Sequence, residues 1–162
     1  MTAPRPEFEV VGPLTGRGEQ VDAILRALPD WFGIESAIVD YVNAVKTMPT
    51  FEARADGQTV GFVSLKHFGQ HATEVYVMGV LGEHHRKGVG RALMDRAFGW
   101  AAKEGFEFIQ VKTVSGDSKD PNYALTRKFY LSMGFVPLEV FPTLWDAHNP
   151  CLQLIRVLDK PL

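Results

Sequence analysis

Residues 74–93 read Glu74-Val-Tyr-Val-Met-Gly-Val-Leu-Gly-Glu-His-His-Arg-Lys-Gly-Val-Gly-Arg-Ala-Leu93. Glu74 to Leu81 is β-rich and apolar, as a strand should be. At Gly88 the period changes. Val89, Ala92, Leu93, Ala97, Trp100 and Ala101 recur at helical spacing, and Gly105 stands where a C-cap belongs. A strand therefore runs through a short loop with two spaced glycines into a helix. Such a loop can aim several backbone N–H groups at one point, and the helix N-terminus adds positive potential. Gly88 and Gly90 lack Cβ, so a phosphate can approach the backbone. Arg86, Lys87 and Arg91 add charge. The stretch is neither a Walker loop nor a dinucleotide fingerprint, because the Gly-Lys-Ser/Thr and the third glycine are missing. Taken alone, it reads as an anion site suited to a pyrophosphate or as a plain strand-to-helix turn.

Working outward, Val21, Ile24, Leu25 and Leu28 mark a first helix, stopped by Pro29. A second carries Ile34, Ile38, Tyr41, Val42 and Val45. Phe51–Arg54 and Thr59–Lys66 read as strands joined at Asp56-Gly57, a strong hairpin signal. Phe108–Thr113 is a further strand and Ser115–Asp120 a polar loop. Asp120-Pro121 opens another helix as N-cap and first residue, with Leu125, Phe129 and Met133 as its apolar stripe. Phe135–Phe141 and Leu152–Leu158 close the pattern. The order is ααβββαβαββ, a mixed α/β fold.

The 162 residues suit one domain, 1–162, with the Pro-containing residues 1–6 loosely ordered. A net charge of −2 lacks the basic excess of a nucleic-acid footprint. One cysteine excludes an internal disulfide and a Cys-based zinc site. No apolar run approaches a membrane span or a signal peptide. The expectation is a cytoplasmic protein without membrane or nucleic-acid partners. His84-His85 and His67-x-x-x-His71 have no carboxylate completing a site, so no metal is expected. Cys151 reads as a core or edge thiol.

The stretch His85-Arg86-Lys87-Gly88-Val89-Gly90 resembles the acetyl-CoA signature of the GNAT superfamily of N-acetyltransferases, Gln/Arg-x-x-Gly-x-Gly/Ala, with His85 in the first place. About 40 residues on, Tyr123-Ala-Leu-Thr126-Arg-Lys-Phe129-Tyr130-Leu-Ser-Met-Gly134-Phe135 resembles the family's Asn-x-x-Ala-x-x-Phe/Leu-Tyr-x-x-x-Gly-Phe. Tyr123 replaces the Asn and Thr126 the Ala. The resemblance covers about residues 10–158, the N-terminal third by pattern rather than motif. It implies a twisted mixed sheet with helices on both faces, splayed between the family's fourth and fifth strands. It also implies acetyl-CoA as co-substrate, a primary amine of a small molecule as acceptor, and direct attack within a ternary complex. Rival readings are a protein or peptide acceptor, or an acyl-CoA-binding regulatory module without turnover. Homodimers are common in the family.

By that resemblance His85, Arg86, Lys87, Gly88, Val89, Gly90 and Arg91 form the cofactor loop. Met78 N–H faces the acyl carbonyl, Gly79 permits a bulge or a close ligand approach or else merely accommodates packing, and Val80 pairs with pantetheine. Tyr130 is the acid for the leaving thiolate, and Tyr123 is its fallback or an amide-binding substitute. Glu74, eleven residues before His85, is the candidate base, its carboxyl raised by an apolar groove; the other reading is an exposed strand-end carboxylate. Trp31 and Phe32, between the first two helices, and Trp145, in the last hairpin loop, are candidates for the acceptor side. Trp31 and Phe32 read equally well as a lid on the core.

Overall fold

The computed structural model describes residues 7–159; the expectation for residues 1–6 lies outside them. The elements run β1 (Glu9–Leu14), α1 (Gly18–Arg26), α2 (Glu35–Val45), β2 (Thr50–Ala55), β3 (Gln58–Phe68), β4 (Ala72–Val80), α3 (Val89–Lys103), β5 (Phe108–Val114), α4 (Pro121–Ser132), β6 (Val136–Asp146) and β7 (Asn149–Val157). The strands form one sheet of order β1-β2-β3-β4-β5-β7-β6. The pair β4–β5 is parallel, and β1–β2, β2–β3, β5–β7 and β6–β7 are antiparallel. The mixed α/β class is as expected.

The strand count is corrected. Glu9–Leu14 is a strand that the spacing did not reveal, so the order begins β1-α1-α2. Its Gly12-Pro13 pair speaks against a strand, since proline cannot donate to a ladder. An edge position tolerates the loss, and β1 lies at the sheet edge beside β2. With it, Ala72–Val80 becomes the fourth strand, the place that the resemblance assigns to this segment. Asp56 and Gly57 take φ of +51° and +78°, the left-handed pair that a two-residue hairpin turn requires.

The chain divides into two compact units. One comprises the residues up to Ser64 together with Val77–Ala97; the other comprises Leu65–Tyr76 and the residues from Phe98 on. The first packs Val21, Ile24 and Leu25 of α1, Val45 of α2, Phe51 and Ala53 of β2, Phe62 of β3 and Leu93 of α3 out of solvent. Gly61 packs tightly there: a Cβ would sit 3.1 Å from Val89 Cγ1 and 3.3 Å from Leu93 Cδ1. Buried in the same unit, Glu52 accepts from Arg17, Arg54 and Thr59. Arg17 is the N-cap residue of α1, so this cluster ties the start of α1 to β2.

The second unit buries Ile109, Val111, Tyr130, Phe135 and Leu154. Asp120 accepts from Asn122 N at 2.8 Å and caps α4 as expected. The expected stripe of α4 is corrected at one place. Met133 is buried as expected and Phe129 is half-buried, but Leu125 is 57% exposed, whereas Tyr130 is buried and Tyr123 half-buried. The helix is turned so that its phenols, not its leucine, face inward.

His67 of β3 stacks between Phe106, at 4.6 Å, and Trp100, at 5.6 Å. Thr73 donates its hydroxyl proton to Lys66 O at 3.1 Å, so His67 Nδ1–H is the donor to Thr73 Oγ1 at 3.0 Å. Burial lowers the imidazole pKa from its ordinary 6.5, against a smaller upward pull from Glu104. The folded state thus disfavours the imidazolium. The stability that neutral His67 contributes is complete above pH 6.5 and is lost as pH falls from there through the lowered folded value. Urea unfolding is expected to give a lower midpoint at pH 5.5 than at 7.5, and a smaller difference in His67→Phe. An equal difference in the two proteins would remove His67 as its source.

Candidate active site

The first unit holds the glycine loop. Val77 and Gly79 of β4 are buried, while Met78 and Val80 are half-buried. Leu81 N donates to Val60 O at 2.9 Å, which anchors the strand end to β3. A single 3-10 turn over Gly82–His84 follows, with His85 N donating to Gly82 O at 3.1 Å. Arg86 and Gly88 then adopt left-handed φ of +62° and +80°. Such kinks aim successive amides to one side of the chain. Ala92 N donates to Gly88 O at 3.0 Å as the first bond of α3. Helix geometry therefore leaves the Val89, Gly90 and Arg91 amides without intrahelical acceptors. Arg86, Lys87 and Arg91 are exposed around them. Free amides, a helix N-terminus and three cations nearby in sequence are a set of donors that fits a pyrophosphate.

Two residues of this unit have partners within it. A side chain at Gly79 would meet Ile24 Cγ2 and Leu28 Cδ1 at 3.1 Å, and Phe62 Cε1 at 3.4 Å. The missing Cβ makes room for α1, the packing reading of this glycine. His85 does not reach out from the loop. Its Nε2–H donates to Val80 O at 2.6 Å, and its ring meets the edge of Trp31 at 5.8 Å. Trp31 and Phe32 lie between α1 and α2 as expected, half-buried, with Phe32 against Tyr41 at 6.0 Å.

The second unit holds Glu74, Tyr123, Tyr130 and Trp145. Glu74 sits in neither of its expected settings. It is buried, at 6% exposure, and accepts from Lys112 Nζ at 2.9 Å. Lys112 is the partner of Glu74 that the sequence reading missed; a lone lysine amid the apolar Phe108–Val114 strand was the available signal. The parallel register of β4 with β5 covers Ala72–Val75 and Phe108–Val111 and puts Glu74 beside Gln110. Tyr130 is 5% exposed and packs against Phe129 at 5.5 Å and Phe135 at 5.7 Å. Burial, and then Asp120, push the Tyr123 phenol above its ordinary value. Trp145 is corrected: it lies within β6, not in the hairpin loop, because Asp146 accepts from His148 N and Asn149 N and closes the turn after it. Cys151 is buried, and burial pushes its thiol up, so it is no ready nucleophile. Among the described residues no cluster of His, Cys, Asp or Glu could hold a metal ion, and no helix is long and apolar enough to cross a membrane.

A profile of the acetyltransferase (GNAT) domain matches residues 48–137, which include Glu74, the glycine loop and Tyr130. No curated protein matches the chain. Among solved structures, a protein from Desulfovibrio desulfuricans assigned to the GNAT acetyltransferases is similar at a TM-score of 0.82 and 15% identity, over 94% of this chain and 99% of that one. An aminoglycoside 6′-N-acetyltransferase complexed with coenzyme A gives 0.74 and 14%, over 95% and 99%. The ribosomal-protein-S18-alanine N-acetyltransferase from Escherichia coli gives 0.73 and 14%, over 96% of each chain. These likenesses show a shared fold, and the profile covers more than half of the 162 residues: the chain belongs to the GNAT family of acetyltransferases.

Proposed function

We propose that the chain, acting as one cytoplasmic transferase domain, moves an acetyl group from acetyl-CoA to a primary amine of a small molecule by direct attack in a ternary complex. The observation that carries this reading is the left-handed Arg86–Gly88 loop at the N-terminus of α3, inside the family match. The Val89, Gly90 and Arg91 amides hold the pyrophosphate, and Arg86, Lys87 and Arg91 supply its counter-charge. Met78 N–H receives the oxyanion that develops on the acyl carbonyl. Val80 pairs with pantetheine in the manner of an added strand. His85, bonded to Val80 O, borders this path rather than the phosphates.

An alkylammonium has no lone pair and must lose a proton before it attacks. Glu74 takes that proton, and until the amine arrives Lys112 holds its carboxylate in place. Tyr130 protonates the departing thiolate, with Tyr123 as the alternate. Trp31, Phe32 and Trp145 flank the acceptor.

The test is thiol release from acetyl-CoA with polyamines, aminoglycosides, amino acids and lysine peptides as acceptors. Turnover with a small-molecule class is the expected result. Turnover with peptides alone would move the acceptor to proteins. Tight acetyl-CoA binding without any turnover would favour a regulatory module. Absence of acetyl-CoA binding would overturn the proposal.

A further inference from the structure

One face of the sheet in the second unit is polar where the alternate face is packed. Thr73, Val75, Ile109, Val111 and Thr113 are buried. Between them the register sets Glu74 beside Gln110, and Lys112 opposite Gln153. These groups are linked: Lys112 donates to Glu74, and Gln153 Nε2 donates to Gln110 Oε1 at 2.7 Å. Half-buried polar groups joined in this way contribute less to a core than apolar ones of the same size would.

Two ammonium groups converge on this face. Lys112 Nζ lies 5.5 Å from the centroid of Phe68, and Lys66 Nζ lies 5.1 Å from the same ring and 5.6 Å from that of Tyr76. Cation–π attraction holds both against the aromatic faces. Among the described residues one carboxylate, that of Glu74, answers them, and it is bonded to Lys112. Among the described residues Lys66 makes no ion pair. The cluster thus carries one surplus positive charge, on a lysine beside an exposed aromatic ring.

The geometry points to an acceptor that carries a carboxylate as well as its amine, with Lys66 as the residue that selects it. This inference rests on the proposed transfer to an amine with Glu74 as base. The acceptor's ammonium exchanges for Lys112 at Glu74, and its carboxylate is then met by Lys66 and the released Lys112. One negative and two positive protein groups match such a zwitterion and leave one positive charge over. A polycation of aminoglycoside type would instead meet two like charges in place of the carboxylates that it needs.

Calorimetric titration with amino acids, each paired with its carboxamide, reads this charge preference without turnover. It should be run with and without saturating CoA. The amino acid is expected to bind about tenfold more tightly than its carboxamide, the low end for a hydrogen bond to a charged group because Lys66 is exposed. Lys66→Glu should abolish the preference, and Lys66→Arg should keep it. Lys112 is the poorer probe, because its removal strands a buried Glu74. Equal affinities, tighter carboxamide binding, no binding of either, or an unchanged preference in Lys66→Glu would each overturn the inference. Failure to bind acetyl-CoA would overturn the proposed function and leave the measured charge preference standing.

Discussion

Tyr130→Phe is expected to lower kcat about 10²-fold, the low end of what a positioned general acid contributes. The KM for acetyl-CoA should stay within about threefold. The variant removes one oxygen and leaves the ring against Phe129 and Phe135, so the ring's packing should be kept. A phenol near pKa 10 is a weak acid in water, but it is well matched to a departing alkyl thiolate. The loss should therefore fall on the chemical step and not on binding. A kcat within about threefold of the native value would show that this hydroxyl is not the acid. Tyr123→Phe would then be the variant to carry the loss, since both phenols lie on the inward side of α4.

Glu52→Ala is expected to destabilise the fold by about 3–5 kcal/mol, the cost of removing one partner from a buried ion pair. Glu52 is fully buried and accepts from Arg17, Thr59 and Arg54. Burial alone would raise its pKa. The hydrogen bonds from Arg17, Thr59 and Arg54 together outweigh that and hold it below the ordinary 4.5. Its stabilisation is present above pH 4.5 and is lost as pH falls through the lowered folded value. Without the carboxylate, two guanidinium groups face each other with no anion between them. Thermal melts at pH 7 should show a fall of about 10 °C or more. Arg17 caps α1, and Ile24 and Leu28 pack on Gly79, so the loss should also loosen the strand proposed to face the acyl group. A fall of less than about 2 °C would mean that Arg17 and Arg54 find solvent at little cost.

The residues proposed for the cofactor differ from those proposed for the acceptor in how well one chain reveals them. The glycine loop was legible because it is a local backbone shape: left-handed φ at Arg86 and Gly88, then a helix start. Such shapes are set by neighbours in sequence. The Asp56-Gly57 hairpin and the Asp120-Pro121 cap were legible for the same reason. β1 was not, because its pairing with β2 spans some forty residues and its own Pro13 argues against it.

From the amino-acid order alone came the mixed α/β class, nearly every element and the glycine loop, which follow from short-range periodicity and turn chemistry, and the family, which came from the resemblance of two motifs. Side-chain partnership was decided only in the tertiary structure. Lys112 answers Glu74 across a parallel register, Lys66 shares Phe68 with it, and His85 turns back onto Val80 O. α1 fills the space that Gly79 leaves open, and α4 turns Tyr130 inward in place of Leu125. Each depends on which strand or helix is brought alongside. The free energy of packing distant elements decides that, and no window of local sequence contains it.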